Sequence, residues 1–290
     1  MLTLGGRAFN TTVVVMTRNR RRSLARTLAR LQTLPERPPI VVVDNGSDDG
    51  TPVVVRRFFP RVGLIVLERN VGPAARTLGV EAAEMPYVAF ADDDSWWRPG
   101  ALERASEVFD AHANVAVVAG RTLVGREHSE DPINEAMRKS PLGQDPRLPG
   151  PSVLGFLACG SVVRRSAFLG AGGFGESVMG FEETLLAVEV VRRGWAVVYI
   201  DDVVAEHHPS ANRDAAARRR GQTRNLLVFA WLRRPFPIAI GRTLRALGDG
   251  ITDAAAFRGV IDAAREAPRL LREREVIDEV LEASLRRLNL

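Results

Sequence analysis

Pro86-Tyr87-Val88-Ala89-Phe90-Ala91-Asp92-Asp93-Asp94-Ser95-Trp96-Trp97 is an apolar run that ends on three carboxylates and two tryptophans. Its Tyr, Val and Phe content, bounded by Pro86 and a polar cluster, suits a strand covered on both faces, as in a parallel sheet. Open α/β sheets bind ligands at the carboxyl ends of such strands. In a near-extended chain Asp92 and Asp94 point to one side, about 7 Å apart at roughly 3.3 Å per residue, and Asp93 points away. At an effective dielectric of about 20, two like charges at that distance repel by roughly 2 kcal/mol. A hard divalent cation with oxygen ligands would relieve the repulsion. The competing reading is a solvated loop in which Asp94 or Ser95 caps a helix beginning near Pro99.

The same strand-then-carboxylate pattern recurs elsewhere in the chain. Residues 11–17 are apolar and β-branched, and are followed by Leu24, Leu28 and Leu31 at helical spacing. Residues 40–43 form a second apolar run that stops on Asp44-Asn45-Gly46-Ser47-Asp48-Asp49-Gly50-Thr51. A third strand at 63–67 leads into Arg69-Asn70-Val71-Gly72-Pro73-Ala74-Ala75-Arg76. There Gly72 permits a tight turn, and Pro73 suits the first position of a helix whose free N–H groups could face a phosphate. A helix at 99–112 and a short strand at 115–119 complete an alternation that argues for a doubly wound sheet with right-handed crossovers.

Between 121 and 151 five prolines are scattered among glycines and charges, which reads as a functional or disordered loop. Residues 153–163 read as a strand interrupted at Gly160. Glu182-Glu183 open a helix that closes at Gly194, and residues 195–200 form a last strand, followed by Asp201-Asp202 and His207-His208. Beyond Pro209 the pattern is helical and amphipathic at 215–232 and 244–288. The expected organisation is a sheet domain over 1–208, divided at 120 into nucleotide-binding and acceptor halves, with a helical extension over 209–290.

Bulk properties narrow the function classes. The 290 residues are 46% apolar and can build a sizeable core. A single cysteine, Cys159, rules out an internal disulfide and a cysteine-based zinc site, and suits a reducing cytoplasm. The sequence has no signal-peptide pattern at its start and no apolar run near the roughly 20 residues that span a bilayer. The net charge of +5 is concentrated in 209–290, with 16 Arg against 10 acidic residues. Interspersed acids and the lack of basic-aromatic interleaving argue against nucleic acid, and leave a solvated face or a peripheral membrane contact through the basic helices.

Four motifs in order resemble a family 2 glycosyltransferase of the A-type (GT-A) fold, over residues 11–225. They are Val41-Val42-Val43-Asp44-Asn45-Gly46-Ser47-Asp48-Asp49-Gly50-Thr51, then Arg69-Asn70-Val71-Gly72, then Asp92-Asp93-Asp94, then Gly172-Gly173-Phe174 leading to Glu182-Glu183 and Arg193-Gly194-Trp195. The resemblance implies a Rossmann-like, mostly parallel sheet flanked by helices and a nucleoside-diphosphate sugar as donor. It implies that Asp44 accepts from the nucleobase, which favours UDP- or dTDP-sugars, with Thr17 and Arg18 flanking the base. Gly72, which ends the second motif, and Arg76, four residues beyond it, are expected on the donor side. Asp92 and Asp94 match the ends of the family's Asp-X-Asp element, with Asp93 between them. Asp92 would lie nearer the ribose, and Asp94 would hold Mg2+ or Mn2+ on the diphosphate. A metal stabilises the charge that develops on the β-phosphate as the sugar leaves.

The resemblance further places the general base for an inverting transfer on Glu183. Glu183 replaces the commoner aspartate, and Leu185 stands where relatives carry another acid, so Glu182 remains a rival. His207 or His208 matches a metal or diphosphate ligand. One of Trp96 and Trp97 is expected in the core and the other on the acceptor side. The Gln-X-X-Arg-Trp signature of processive synthases is absent, Gln222-Thr223-Arg224-Asn225 having different spacing, which favours single-sugar addition to a glycan, lipid-linked or small-molecule hydroxyl. The alternatives are a binding protein of the same fold that has lost catalysis, or a nucleotidyltransferase.

Overall fold

The computed structural model describes residues 10–175, 181–209 and 215–290. Strand β1 (Thr11–Thr17) leads to helix α1 (Arg21–Gln32), β2 (Ile40–Asp44) to α2 (Thr51–Phe58), and β3 (Gly63–Val66) to α3 (Ala74–Ala82). There follow β4 (Tyr87–Asp92), β5 (Ser95–Trp97), α4 (Ala101–Ala111), β6 (Val115–Val124), β7 (Ser129–Glu130) and α5 (Pro132–Arg138). Then come β8 (Ser161–Arg164), α6 (Arg165–Gly170), α7 (Glu182–Arg192) and β9 (Ala196–His207). The chain closes with α8 (Ala215–Arg233), α9 (Phe236–Gly250), α10 (Ala254–Arg265), α11 (Ala267–Arg272) and α12 (Glu279–Arg287).

The strands form one sheet in the order β3-β2-β1-β4-β8-β6-β9-β5, with β7 paired to β6. β3, β2, β1 and β4 are mutually parallel, which brings the carboxyl ends of β1, β2 and β4 to one edge. β8 runs antiparallel to both β4 and β6, and β9 is parallel to β6. Alternation along β1 explains why the sheet is covered on both faces. Val14 joins one core with Val43, Val88, Phe90, Phe168 and Phe174, while Val13 and Val15 join the other with Leu24, Leu28, Leu31 and Phe109. Leu24, Leu28 and Leu31 are fully buried, each contributing roughly 1.5–3 kcal/mol. Gly79 lets α3 approach β1, since a Cβ there would lie 2.4 Å from Val14.

Three segments differ from the sequence expectation. β6 and β9 are longer than the apolar runs predict, because register shifts between Gly120 and Arg121 let the pair continue through Asp201-Asp202 to Val124 and His207. Asp201 and Asp202 are exposed there and pair with Arg138 and Arg104. Residues 121–151 are not structureless: they hold the end of β6, the β7 hairpin and α5, whose N-terminus has Pro132 at its start and the Asp131 carboxylate accepting the Ile133 N–H. Over 153–163 only Ser161–Arg164 is a strand, preceded by a single 3-10 turn at Ala158–Gly160.

The C-terminal helices pack on the sheet layer as well as on each other. Phe229, Leu281 and Leu285 enter the larger core, and Leu227, Val228, Leu232, Ala246 and Leu270 form a separate cluster. Arg234, 2% exposed, donates to both oxygens of buried Glu282 at 3.0 and 2.9 Å, tying α12 to the turn before α9. α9 inverts the usual amphipathic order: Ala239 and Ala246 face inward, while Phe236, Ile240, Leu244 and Leu247 are exposed, followed by Ile251 at 85% exposure. At about 100° per residue these five side chains fall within one narrow sector of the helix. Among the described residues no helix is long and apolar enough to cross a membrane.

Candidate active site

A cavity of about 490 Å3 opens at the carboxyl ends of β1 and β4. β4 stops at Asp92 because the chain turns at Asp93 and Asp94, and the Ser95 hydroxyl accepts the Asp92 N–H at 2.7 Å. The turn breaks strand alternation. All three carboxylates line the cavity, and Asp93 does not point away as an extended chain would require. Asp93 accepts from the Thr17 hydroxyl and from Arg20, both at 3.0 Å. Burial, with the charge of Asp94 adding to it and Arg20 opposing, pushes the Asp93 carboxyl up to about 7.

Asp94 accepts from the same Arg20 guanidinium at 2.8 Å, and its other oxygen lies 3.4 Å from His207 Nε2. Asp92 accepts from Arg76 at 2.6 Å. Arg76 projects from α3 and is 6% exposed. Burial opposes its charge, but the carboxylates of Asp92, Glu182 and Glu183 hold it firmly ionised. Its Nε is buried without a partner.

On β2, Asp44 is fully buried; one oxygen accepts the Ser47 N–H at 3.1 Å and the other, Oδ1, has no partner. Asn45 joins this turn to the next one, donating to the Gly72 carbonyl at 3.0 Å and accepting the Val71 N–H at 2.8 Å. Gly46, at φ +75°, fits because a Cβ would lie 2.8 Å from the Arg69 backbone. Gly72 has φ +62° and sits outside the cavity lining, so its part here is the turn. Arg18 is exposed and lines the cavity.

The acidic pair at the start of α7 divides its labour. Glu182 is buried, accepts the Phe181 N–H at 3.0 Å and lies 3.8 Å from Arg76. Glu183 lines the cavity and accepts the Ala158 N–H at 3.3 Å. Burial and the neighbouring charge of Glu182, only partly offset by Arg76, raise the Glu183 carboxyl to about 8. The tandem histidines also separate. His207 faces the acids, whereas His208 stacks on Trp96 with ring centroids 4.4 Å apart and lies 3.4 Å from Glu206. Trp97 is core, 1% exposed, with its indole N–H on the Phe90 carbonyl at 3.1 Å. Pairing of Ser95 with His207 across β5 and β9, with the His208 N–H on the Asp94 carbonyl at 2.8 Å, fixes the histidines against the acidic turn.

Sequence reasoning overlooked Arg20, Asn45 and Cys159. Arg20 binds two of the three aspartates, and its signal was the basic run directly after β1. Asn45 showed only as part of a motif. Cys159 Sγ lies within 4.8 Å of ligand atoms of Asp92 and His207, but burial raises its thiol far above the usual range, so it stays protonated and is a poor partner for a hard cation. Asp94 Oδ1 and His207 Nε2 suit one better: adjacent ligands at 2.1–2.2 Å from an octahedral ion sit about 3 Å apart, close to the 3.4 Å observed.

The profile of Glycosyl transferase family 2 matches residues 12–170, more than half of the chain. The protein belongs to glycosyltransferase family 2. The matched span holds the β1, β2 and β4 strand ends and stops before Glu183 and His207. A protein from Mycobacterium tuberculosis, N-acetylglucosaminyl-diphospho-decaprenol L-rhamnosyltransferase, is 28% identical over 77% of this chain and 86% of its own. Pre-mycofactocin glycosyltransferase from the same species is 33% identical over 72% of this chain and 45% of its own. Among solved structures, the mannosyltransferase PcManGT from Pyrobaculum calidifontis, in complex with GDP-Man and Mn2+, superposes with a TM-score of 0.59 at 21% identity, covering 96% of this chain and 74% of its own. S. aureus TarS residues 1–349 in complex with UDP-GlcNAc gives 0.58 at 19% identity, covering 76% and 66%. The likeness to these solved structures shows the GT-A fold.

Proposed function

We propose that this family 2 enzyme moves a single sugar from a UDP- or dTDP-sugar to a hydroxyl acceptor with inversion at the anomeric carbon. The observation that carries the reading is the convergence of Asp92, Asp94, His207 and a proton-accepting Glu183 on one cavity at the carboxyl ends of β1 and β4. Asp44 is buried beside Asn45 rather than in the cavity lining, and its unpartnered Oδ1 is the acceptor a pyrimidine imide N–H would use, with Thr17 and Arg18 of the lining beside the base. Arg76 fixes Asp92 on the ribose side of the site.

Asp94 and His207 would hold Mg2+ or Mn2+, and His208, turned onto Trp96, would not. The cation, when bound, supplies positive charge against the diphosphate leaving group. Glu183 accepts the acceptor's proton as its oxygen attacks the anomeric carbon from the face opposite the leaving diphosphate. A carboxyl raised to about 8 is a far stronger base than an ordinary glutamate, so proton transfer in the transition state is better matched near neutral pH. Glu182, engaged by Arg76 and the Phe181 N–H, contributes by keeping Glu183 basic.

The acceptor hydroxyl belongs to a glycan, a lipid-linked sugar or a small molecule. The outward apolar face of α9, with Arg242 and Arg245 on the same helix, supports peripheral contact with an anionic bilayer at its cytoplasmic face. The direct test uses purified protein with Mn2+ and a panel of UDP-, dTDP- and GDP-sugars, read by thermal shift and donor hydrolysis. Stabilisation by UDP- or dTDP-sugars and slow hydrolysis are expected. A folded protein that neither binds nor turns over any of them would falsify the assignment.

A further inference from the structure

Beside the proposed donor cavity lies a second one, of about 620 Å3, and Arg20 and Asp94 line both. The rest of its wall is strongly cationic: Arg21, Arg22 and Arg26 from α1, and Arg126 from the turn after β6. The two acids in the wall are already engaged. Asp94 accepts from Arg20, and Asp49 accepts the Arg21 N–H at 3.2 Å and the Thr51 N–H at 2.9 Å. The side chains of Arg22, Arg26 and Arg126 are exposed and have no hydrogen-bond or ion-pair partner among the described residues.

This arrangement costs the fold little, about as much as one like-charged helix pair in water. α1 begins at the cavity with no cap from its own N-cap side chain and no acid in its first turn; among the described residues Asp49 alone supplies a carboxylate there, on the Arg21 N–H, against several guanidinium groups at the positive end of the helix dipole. Arg22 and Arg26 are one turn apart on the same helix, a like-charged pair that repels. Chains keep such conflicts where a ligand supplies the missing counter-charge. Several guanidinium forks around one space match the tetrahedral oxygens of a phosphate better than a single carboxylate. The volume also falls in the range that holds a phosphate together with an attached group.

We infer that this second cavity is an acceptor subsite that binds a phosphate or diphosphate carried by the acceptor, through Arg22, Arg26 and Arg126. The assignment rests on reading the neighbouring cavity as the donor site. A phosphate-bearing acceptor would then sit across Arg20 from the donor diphosphate.

The test titrates glucose 1-phosphate and farnesyl monophosphate into full-length protein saturated with UDP and Mg2+, by calorimetry. Both wild-type binding and a loss of about tenfold or more in Arg22→Ala/Arg26→Ala and in Arg126→Ala are expected, with UDP affinity unchanged. Tighter binding of the farnesyl probe identifies a lipid-linked acceptor, and tighter binding of glucose 1-phosphate a soluble phosphosugar. Absence of wild-type binding, variants that bind as wild type does, or competition between the probes and UDP overturns the inference. Failure of wild type to bind UDP is a separate result: it refutes the donor reading, while probe binding and its loss in the variants are still measured.

Discussion

Glu183→Gln keeps the shape of the side chain and removes its ionisation. In the folded protein burial and the charge of Glu182 raise this carboxyl from an ordinary 4.5 to about 8. The unfolded chain ionises near 4.5, so above that pH folding requires the group to take up a proton or to carry a buried charge. A raised carboxyl therefore favours the fold below 4.5 and weakens it progressively as pH climbs to 8. The interval from 4.5 to 7 corresponds to about 3 kcal/mol, at about 1.4 kcal/mol per tenfold. Water reaches part of the side chain, so about 2 kcal/mol is a fairer figure. Glutamine retains an oxygen for the Ala158 N–H, so the variant loses little else. Thermal melts should put Glu183→Gln about 4–8 °C above wild type at pH 7. The two should nearly coincide at pH 5, and the gap should be widest above pH 8. Donor-to-acceptor turnover should fall by about 10²–10⁴, and wild-type kcat/KM should rise with pH through about 8. A variant that melts below wild type at pH 7, a gap that does not grow with pH, or turnover retained within about threefold refutes the assignment of Glu183 as a buried base.

Asp94→Ala and His207→Ala should each weaken Mn2+ binding to the UDP-bound protein by about tenfold or more, measured by calorimetry; undiminished affinity moves the cation elsewhere. Gly46→Ala forces a left-handed φ of +75° and a 2.8 Å approach to the Arg69 backbone. It should cost about 1–3 kcal/mol in urea unfolding, and an unchanged midpoint contradicts the turn described here. Wild-type protein should co-sediment with phosphatidylglycerol vesicles but not with phosphatidylcholine ones, and Ile240→Asp/Leu244→Asp should abolish this. Vesicle binding that survives the double substitution removes α9 from the contact.

The nucleotide-binding half was legible because β1, β2 and β4 are covered on both faces and so appear as unbroken apolar runs that end in, or directly before, residues of the cavity lining. Asp44, Asp92 and Asp94 are recognisable at the ends of β2 and β4 for that reason. The second half was harder. β9 is apolar only until Ile200 and then passes through Asp201-Asp202, so its last turn of residues, including His207, looked like a loop. The orientation of Asp93 was missed because strand alternation was carried past the residue where the chain turns. Which histidine faces the acids depends on stacking of His208 against Trp96, a contact between distant segments that no local pattern encodes. Arg20 was hidden in a basic run in which its neighbours Arg21 and Arg22 look the same, although Arg20 is the one that pairs with Asp93 and Asp94.

Pairing of Ser95 with His207 joins the acidic turn to the far end of β9 by a backbone zipper rather than by side-chain contacts alone. Everything the chain builds between those two points, including α4, the β7 hairpin, α5 and the start of α7, enters and leaves through the same seam. Within that span β6 and β8 complete the sheet and Glu183 lines the cavity, so these are held. The β7 hairpin and α5 contribute nothing to the cavity lining, so their length and composition can drift without displacing His207 from Asp94, which gives the fold a place to vary beside a constant reactive centre.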